Sequence, residues 1–122
     1  GFSALIKGNR GGSTSTALFD TGVSQSGLLN NLDALEIKAH DLQAIILSHG
    51  HADHSLGLPG LVQRLGARNL PLVLHPDAYL DRKIVLPDGH ELQVPAPRKS
   101  DFQRDYTGLH RGYRGDRPVH VG

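Results

Sequence analysis

A short apolar run, QAIILS at residues 43–48, passes in a single step into HGHADH at residues 49–54. The run is too short for a helix and contains β-branched residues, so it reads as a strand buried on both faces. Such a strand belongs to a sheet covered by helices, and open α/β sheets place their ligand sites at the carboxyl ends of their strands. Three histidines and an aspartate are therefore delivered to the edge where chemistry is expected. That junction predicts an α/β fold.

The rest of the chain agrees. Residues 2–7 and 13–20 are β-prone runs around the glycine-rich GNRGGS, which predicts a hairpin with a flexible connection. Leu28, Leu32 and Leu35 recur at helical spacing behind the possible caps Ser24 and Ser26, predicting a helix over 25–35. Leu58, Leu61, Val62 and Leu65 mark another, with Pro59 in its first turn and Gly66 at its end. PLVLH at 71–75 reads as a buried strand and PDAYLDR as a short helix or turn starting at Pro76. KIVLPDGHELQV at 83–94 reads as two strands around the turn PDGH.

Beyond residue 97 the character changes. Residues 98–122 hold six basic side chains against three aspartates, and no helical or strand period is visible. The expected organisation is a folded part over 1–97 and a basic, poorly ordered tail over 98–122. The tail lacks the interleaved aromatics of a stacking platform, and the net charge is +1, so nucleic-acid binding is not expected. No apolar run approaches a membrane span and no leader pattern opens the chain, so a cytoplasmic location is expected. The chain opens on Gly1, inside what reads as a strand, and its natural start is expected upstream.

With no cysteine in 122 residues, disulfides, thiolate metal sites and cysteine nucleophiles are excluded together. Imidazole and carboxylate remain as the strong metal ligands. In HGHADH the small Gly50 and Ala52 let the backbone turn between donors. His49 and His51 can converge on one ion, while Asp53 and His54 would point elsewhere and suit a second. The competing reading is a structural cluster, which would crowd lone pairs and like charges without compensation. Ser48 and Ser55 flank the cluster, but neither sits in a G-x-S-x-G elbow, so supporting roles are expected. His75 is expected to cap HPDAY. His40, His90, His110 and His120 are expected to face solvent.

The H-x-H-x-D-H pattern after an apolar strand resembles the signature of the metallo-β-lactamase superfamily. LFDTG at 18–22 and AIILSHGHADHSLGLPGL extend the likeness. SALIKG, LLNNLDAL and LVLHPDAYLDRK look most like its branch of dihydropterin-aminobenzene-phosphate synthase-type proteins. The resemblance covers residues 1–97 and implies the N-terminal half of an αββα sandwich, a mixed sheet with helices on one face. It gives His49 and His51 to a first metal, Asp53 and His54 to a second, and Asp20 to orienting the metal loop.

It also implies a metal-dependent hydrolase using zinc, with two ions in a complete site and iron or manganese as alternatives. The metal-activated hydroxide would attack an ester, amide or phosphoester of a small-molecule substrate, with Asp53 orienting it. The family's later ligands are not recognisable here, and a catalytic zinc needs three protein ligands. The alternative is therefore a truncated or degenerate non-catalytic metal-binding or assembly domain. A half-sandwich would expose one sheet face, so a homo-oligomer or pairing with a missing C-terminal half is expected.

Overall fold

The computed structural model describes residues 1–66 and 70–98 in full, and the backbone of 111–114 and 117–120. Strands β1 (Ala4–Arg10) and β2 (Ser13–Phe19) form an antiparallel hairpin with Ala4 opposite Phe19 and Arg10 opposite Ser13. The ladder runs through most of the segment expected to be a loose connection. Only Gly11 and Gly12 make the turn, at φ of 55° and 82°, the left-handed pair that matches strand twist in a two-residue hairpin.

β2 then pairs in parallel with β3 (Ala44–Ile46), and β3 in parallel with β4 (Leu72–Val73), giving a mixed sheet of order β1-β2-β3-β4. The central position of β3 accounts for its uninterrupted apolar sequence. Its Ile45 is 1 % exposed.

Helix α1 (Gln25–Ala34) crosses from β2 towards β3. The hydroxyl of Ser24 accepts from the Gly27 N–H and caps its first turn. A four-residue helix, α2 (Ala52–Ser55), leads into α3 (Leu58–Leu65), which ends at Gly66 with φ 62°. Leu28 and Leu32 of α1 join Leu58, Leu61 and Leu65 of α3 over Leu18, Ile45 and Leu72 of the sheet, forming one core. Each such leucine contributes about 1.5–3 kcal/mol by leaving water. The core thus clamps both helices to the strands that carry the cluster.

After β4 a 3-10 turn (Pro76–Tyr79) leads to a separate hairpin, β5 (Arg82–Val85) and β6 (Glu91–Val94), with Gly89 at φ 88° in its turn. In the tail, β7 (Arg111–Arg114) and β8 (Arg117–His120) pair antiparallel, with Arg111 opposite His120. Four residues per strand are too few to leave a period in the sequence. His110 and the other tail positions beyond Arg98 lie outside the described residues. Among the described residues no helix is long and apolar enough to cross a membrane.

Candidate metal centre

Two loops build the site, one after each of two neighbouring strands. Asp20 follows β2, and residues 47–51 follow β3. The Asp20 N–H donates to the Ile46 carbonyl at 2.8 Å, and its own carbonyl accepts from Ser3 Oγ at 2.8 Å. These bonds hold Asp20 at φ 60°, an uncommon conformation for a side chain other than glycine, though aspartate and asparagine tolerate it best. Thr21 donates from both its N–H and its hydroxyl to the His54 carbonyl, at 2.8 and 3.0 Å. The Phe2 N–H reaches the Asp53 carbonyl at 3.0 Å. The metal-loop backbone is thereby tied to β1 and to the DTG turn.

The Asp20 carboxylate is 1 % exposed and accepts at both oxygens. Oδ1 accepts from the Ser48 N–H at 2.7 Å, and Oδ2 lies 2.6 Å from Ser48 Oγ and 2.7 Å from His54 Nδ1. Ser48 Oγ is also 2.7 Å from His49 Nδ1. A carboxylate only accepts, so the single hydroxyl proton of Ser48 goes to Asp20, and Ser48 accepts from His49 Nδ1–H. The same reasoning assigns His54 Nδ1–H as donor to Asp20. When neutral, both histidines are thereby held in the tautomer that leaves the lone pair on Nε2.

The other ring contacts draw the cluster together. His54 Nε2 lies 3.4 Å from Asp53 Oδ2. The His49 ring is 4.3 Å from that of His54 and 4.7 Å from that of His51, centroid to centroid. His49, His51 and Asp53 each offer a donor atom within 4.8 Å of the others, as do Asp20, His49 and His54. The Asp20 oxygens already accept three bonds, so it supports the second group instead of completing it. The two pairs expected from the sequence lie side by side, with the His54 ring next to that of His49.

Burial, then the neighbouring His54 and His51, push the His49 imidazole below its ordinary value of 6.5, against the opposing pull of Asp20 and Asp53. Neutral imidazole is the form a metal takes, so this set of donors fits a divalent cation.

Gly50 has a different role from the one its small size suggested. Its Cα packs on the Ala78 carbonyl, where a Cβ would collide with backbone. Gly57 is likewise packed against the Thr21 carbonyl. Ser55, buried, donates to the His51 carbonyl at 2.9 Å and fixes the loop. Neither Ser48 nor Ser55 is placed as a nucleophile.

The other described histidines stand apart. His75 caps the 3-10 turn, accepting from the Asp77 N–H at 3.2 Å. His90 pairs with Asp88 in the exposed hairpin turn at 2.8 Å, and His40 is exposed. Two contributors had no signal in the sequence. Phe2 lies against His54 at 5.9 Å between ring centroids, and Arg82 packs beside Gly50.

Residues 1–122 match the family model described as metallo-beta-lactamase superfamily. Over 79 residues, 65% of this chain, the sequence is 34% identical to 7,8-dihydropterin-6-methyl-4-(beta-D-ribofuranosyl)-aminobenzene-5'-phosphate synthase of Methanocaldococcus jannaschii. It is 46% identical over 63 residues, 51% of the chain, to ribonuclease Z of Nocardia farcinica. The chain spans 26% and 19% of the lengths of these two relatives. Among solved structures, Rm3 metallo-beta-lactamase superposes with a TM-score of 0.56 at 26% identity, over 98% of this chain and 41% of that one.

Proposed function

The chain belongs to the metallo-β-lactamase superfamily, and on that footing we propose that it carries the metal-binding part of a metal-dependent hydrolase acting on an ester, amide or phosphoester. One observation carries the reading. His54 Nε2, its other nitrogen committed to Asp20, stands 3.4 Å from the Asp53 carboxylate, and His49, His51 and Asp53 each bring a donor atom within 4.8 Å of the others. Imidazole nitrogens and a carboxylate gathered in this way make a donor set that fits a metal cation.

His49, His51, Asp53 and His54 would hold the metal. Imidazole and carboxylate without thiolate favour zinc, with iron or manganese as alternatives. When bound, such an ion supplies Lewis acidity and brings the pKa of a water towards neutrality. The chain's own residues do the rest. Asp20 and Ser48 engage the Nδ1 atoms of His54 and His49, leaving Nε2 as the nitrogen each would offer to a metal. Asp53, its side chain 58% exposed, sits at the open edge, where its carboxylate orients the attacking water.

A second reading has its own support. The cluster offers four donors that are not already committed, and a pair of catalytic ions with three protein ligands each needs more. In that reading the chain binds metal weakly and turns nothing over. Metal content by elemental analysis of the purified chain at neutral pH, with His51→Ala as control, tests both. Tightly held metal lost in the control, together with hydrolysis of p-nitrophenyl acetate or bis(p-nitrophenyl) phosphate, supports the hydrolase. Weakly held metal without turnover supports the second reading, and metal content unchanged in the control refutes both ligand assignments.

A further inference from the structure

A cleft of about 520 Å³ opens beside the cluster, with His51 and Asp53 on one wall and Arg82 and Lys83 of β5 on the other. Val23 and Ile84, each about half exposed, give it apolar sides. A volume of this size suits a small organic ligand. The two cations differ. Lys83 Nζ is paired with Glu91 at 2.7 Å, whereas Arg82 has no carboxylate partner among the described residues.

Arg82 is instead held in place by backbone. Its Nη1 donates to the carbonyls of Leu80 at 3.0 Å and Ala78 at 3.4 Å, and its Nη2 to that of Asp77 at 2.7 Å. Nη1 also lies 2.7 Å from the point a Cβ on Gly50 would occupy, so the guanidinium is packed against the metal loop. Among the described residues three of its five N–H donors are used, by those carbonyls, and Nε–H and one on Nη2 have no partner there. An always-charged, half-buried guanidinium with neutral partners, fixed in position and facing a cleft, is organised to take an oxyanion.

We propose that Arg82 is the group that binds an oxyanion of the substrate, so that the cleft selects anionic esters over neutral ones. This rests on the hydrolase reading for the identity of the ligand as a substrate, but the anion contact itself does not need metal. The shared chemistry is a phosphoryl or carboxylate oxyanion borne on an apolar body that lies against Val23 and Ile84. With the anion on Arg82, the rest of the molecule extends towards His51 and Asp53.

The test uses the metal-free chain in EDTA, so that neither failed metal loading nor absent turnover bears on it. Binding of phenyl phosphate, phenylacetate and benzyl alcohol is measured by NMR titration in the wild type, Arg82→Gln and Arg82→Lys. The expected result is that at least one anion binds and shifts the Arg82 Nε–Hε resonance. Its affinity falls about tenfold or more in Arg82→Gln, as for loss of a charged hydrogen-bond partner, and by less in Arg82→Lys. The preferred anion identifies the oxyanion. Equal binding of benzyl alcohol, anion binding unchanged in Arg82→Gln, or an unmoved Nε–Hε resonance overturns the proposal. If Arg82→Gln does not fold, the wild-type resonance decides alone.

Discussion

Asp20 shows how much one side chain can determine. Its carboxylate accepts from Ser48 and from His54, and through Ser48 it also sets His49. Asp20→Asn preserves the shape, and asparagine tolerates the positive φ, but an amide must present a donor where one of these bonds needs an acceptor. Zinc affinity, measured by competition with a chromophoric chelator, should fall about 10–100-fold while the chain stays folded; an unchanged affinity would remove Asp20 from the design. His49 adds a pH dependence. Its folded pKa lies below 6.5, so the unfolded chain binds the proton more readily. The stability this contributes is present above 6.5 and is lost as the pH falls through the depressed folded value. In the metal-free chain the urea midpoint should therefore drop on acidification below 6.5, and the drop should shrink in His49→Asn.

At the scale of elements, the site depends on close backbone contacts between loops that follow different strands. Gly57 has φ −74°, which any residue adopts, so only contact with the Thr21 carbonyl restricts it. Gly57→Ala should cost about 1–3 kcal/mol by overpacking. Because Thr21 adjoins Asp20, it should also weaken metal binding; urea unfolding read beside the zinc competition separates the two effects. Stability lost with affinity intact would show the DTG turn moving independently of the cluster. The helices were legible because each needs only local signals: leucines at helical spacing, Ser24 as cap, Gly66 as stop. α2 was not, since four residues set no period and its start at His51 is fixed by Ser55 and by the loop above it.

For the molecule as a whole, metal and folding should be linked. A ligand that binds only the folded chain stabilises it by about 2.7 kcal/mol at a hundred times its dissociation constant. Zinc should therefore raise the melting temperature of the wild type and leave that of His51→Ala nearly unmoved, as calorimetry would show. An equal rise in both would place the ion elsewhere.

The sequence by itself determined the α/β architecture, the order of its main elements and the residue types at the cluster. Apolar periodicity and donor chemistry are local properties, and they survive in one dimension. Only the tertiary structure decided which nitrogen of His49 and His54 stays open, since that depends on Asp20 arriving from a neighbouring strand. It likewise decided that Gly50 must be glycine against Ala78, and that Arg82 reaches the cleft. These are contacts between segments far apart in the chain, and no spacing within either segment encodes them.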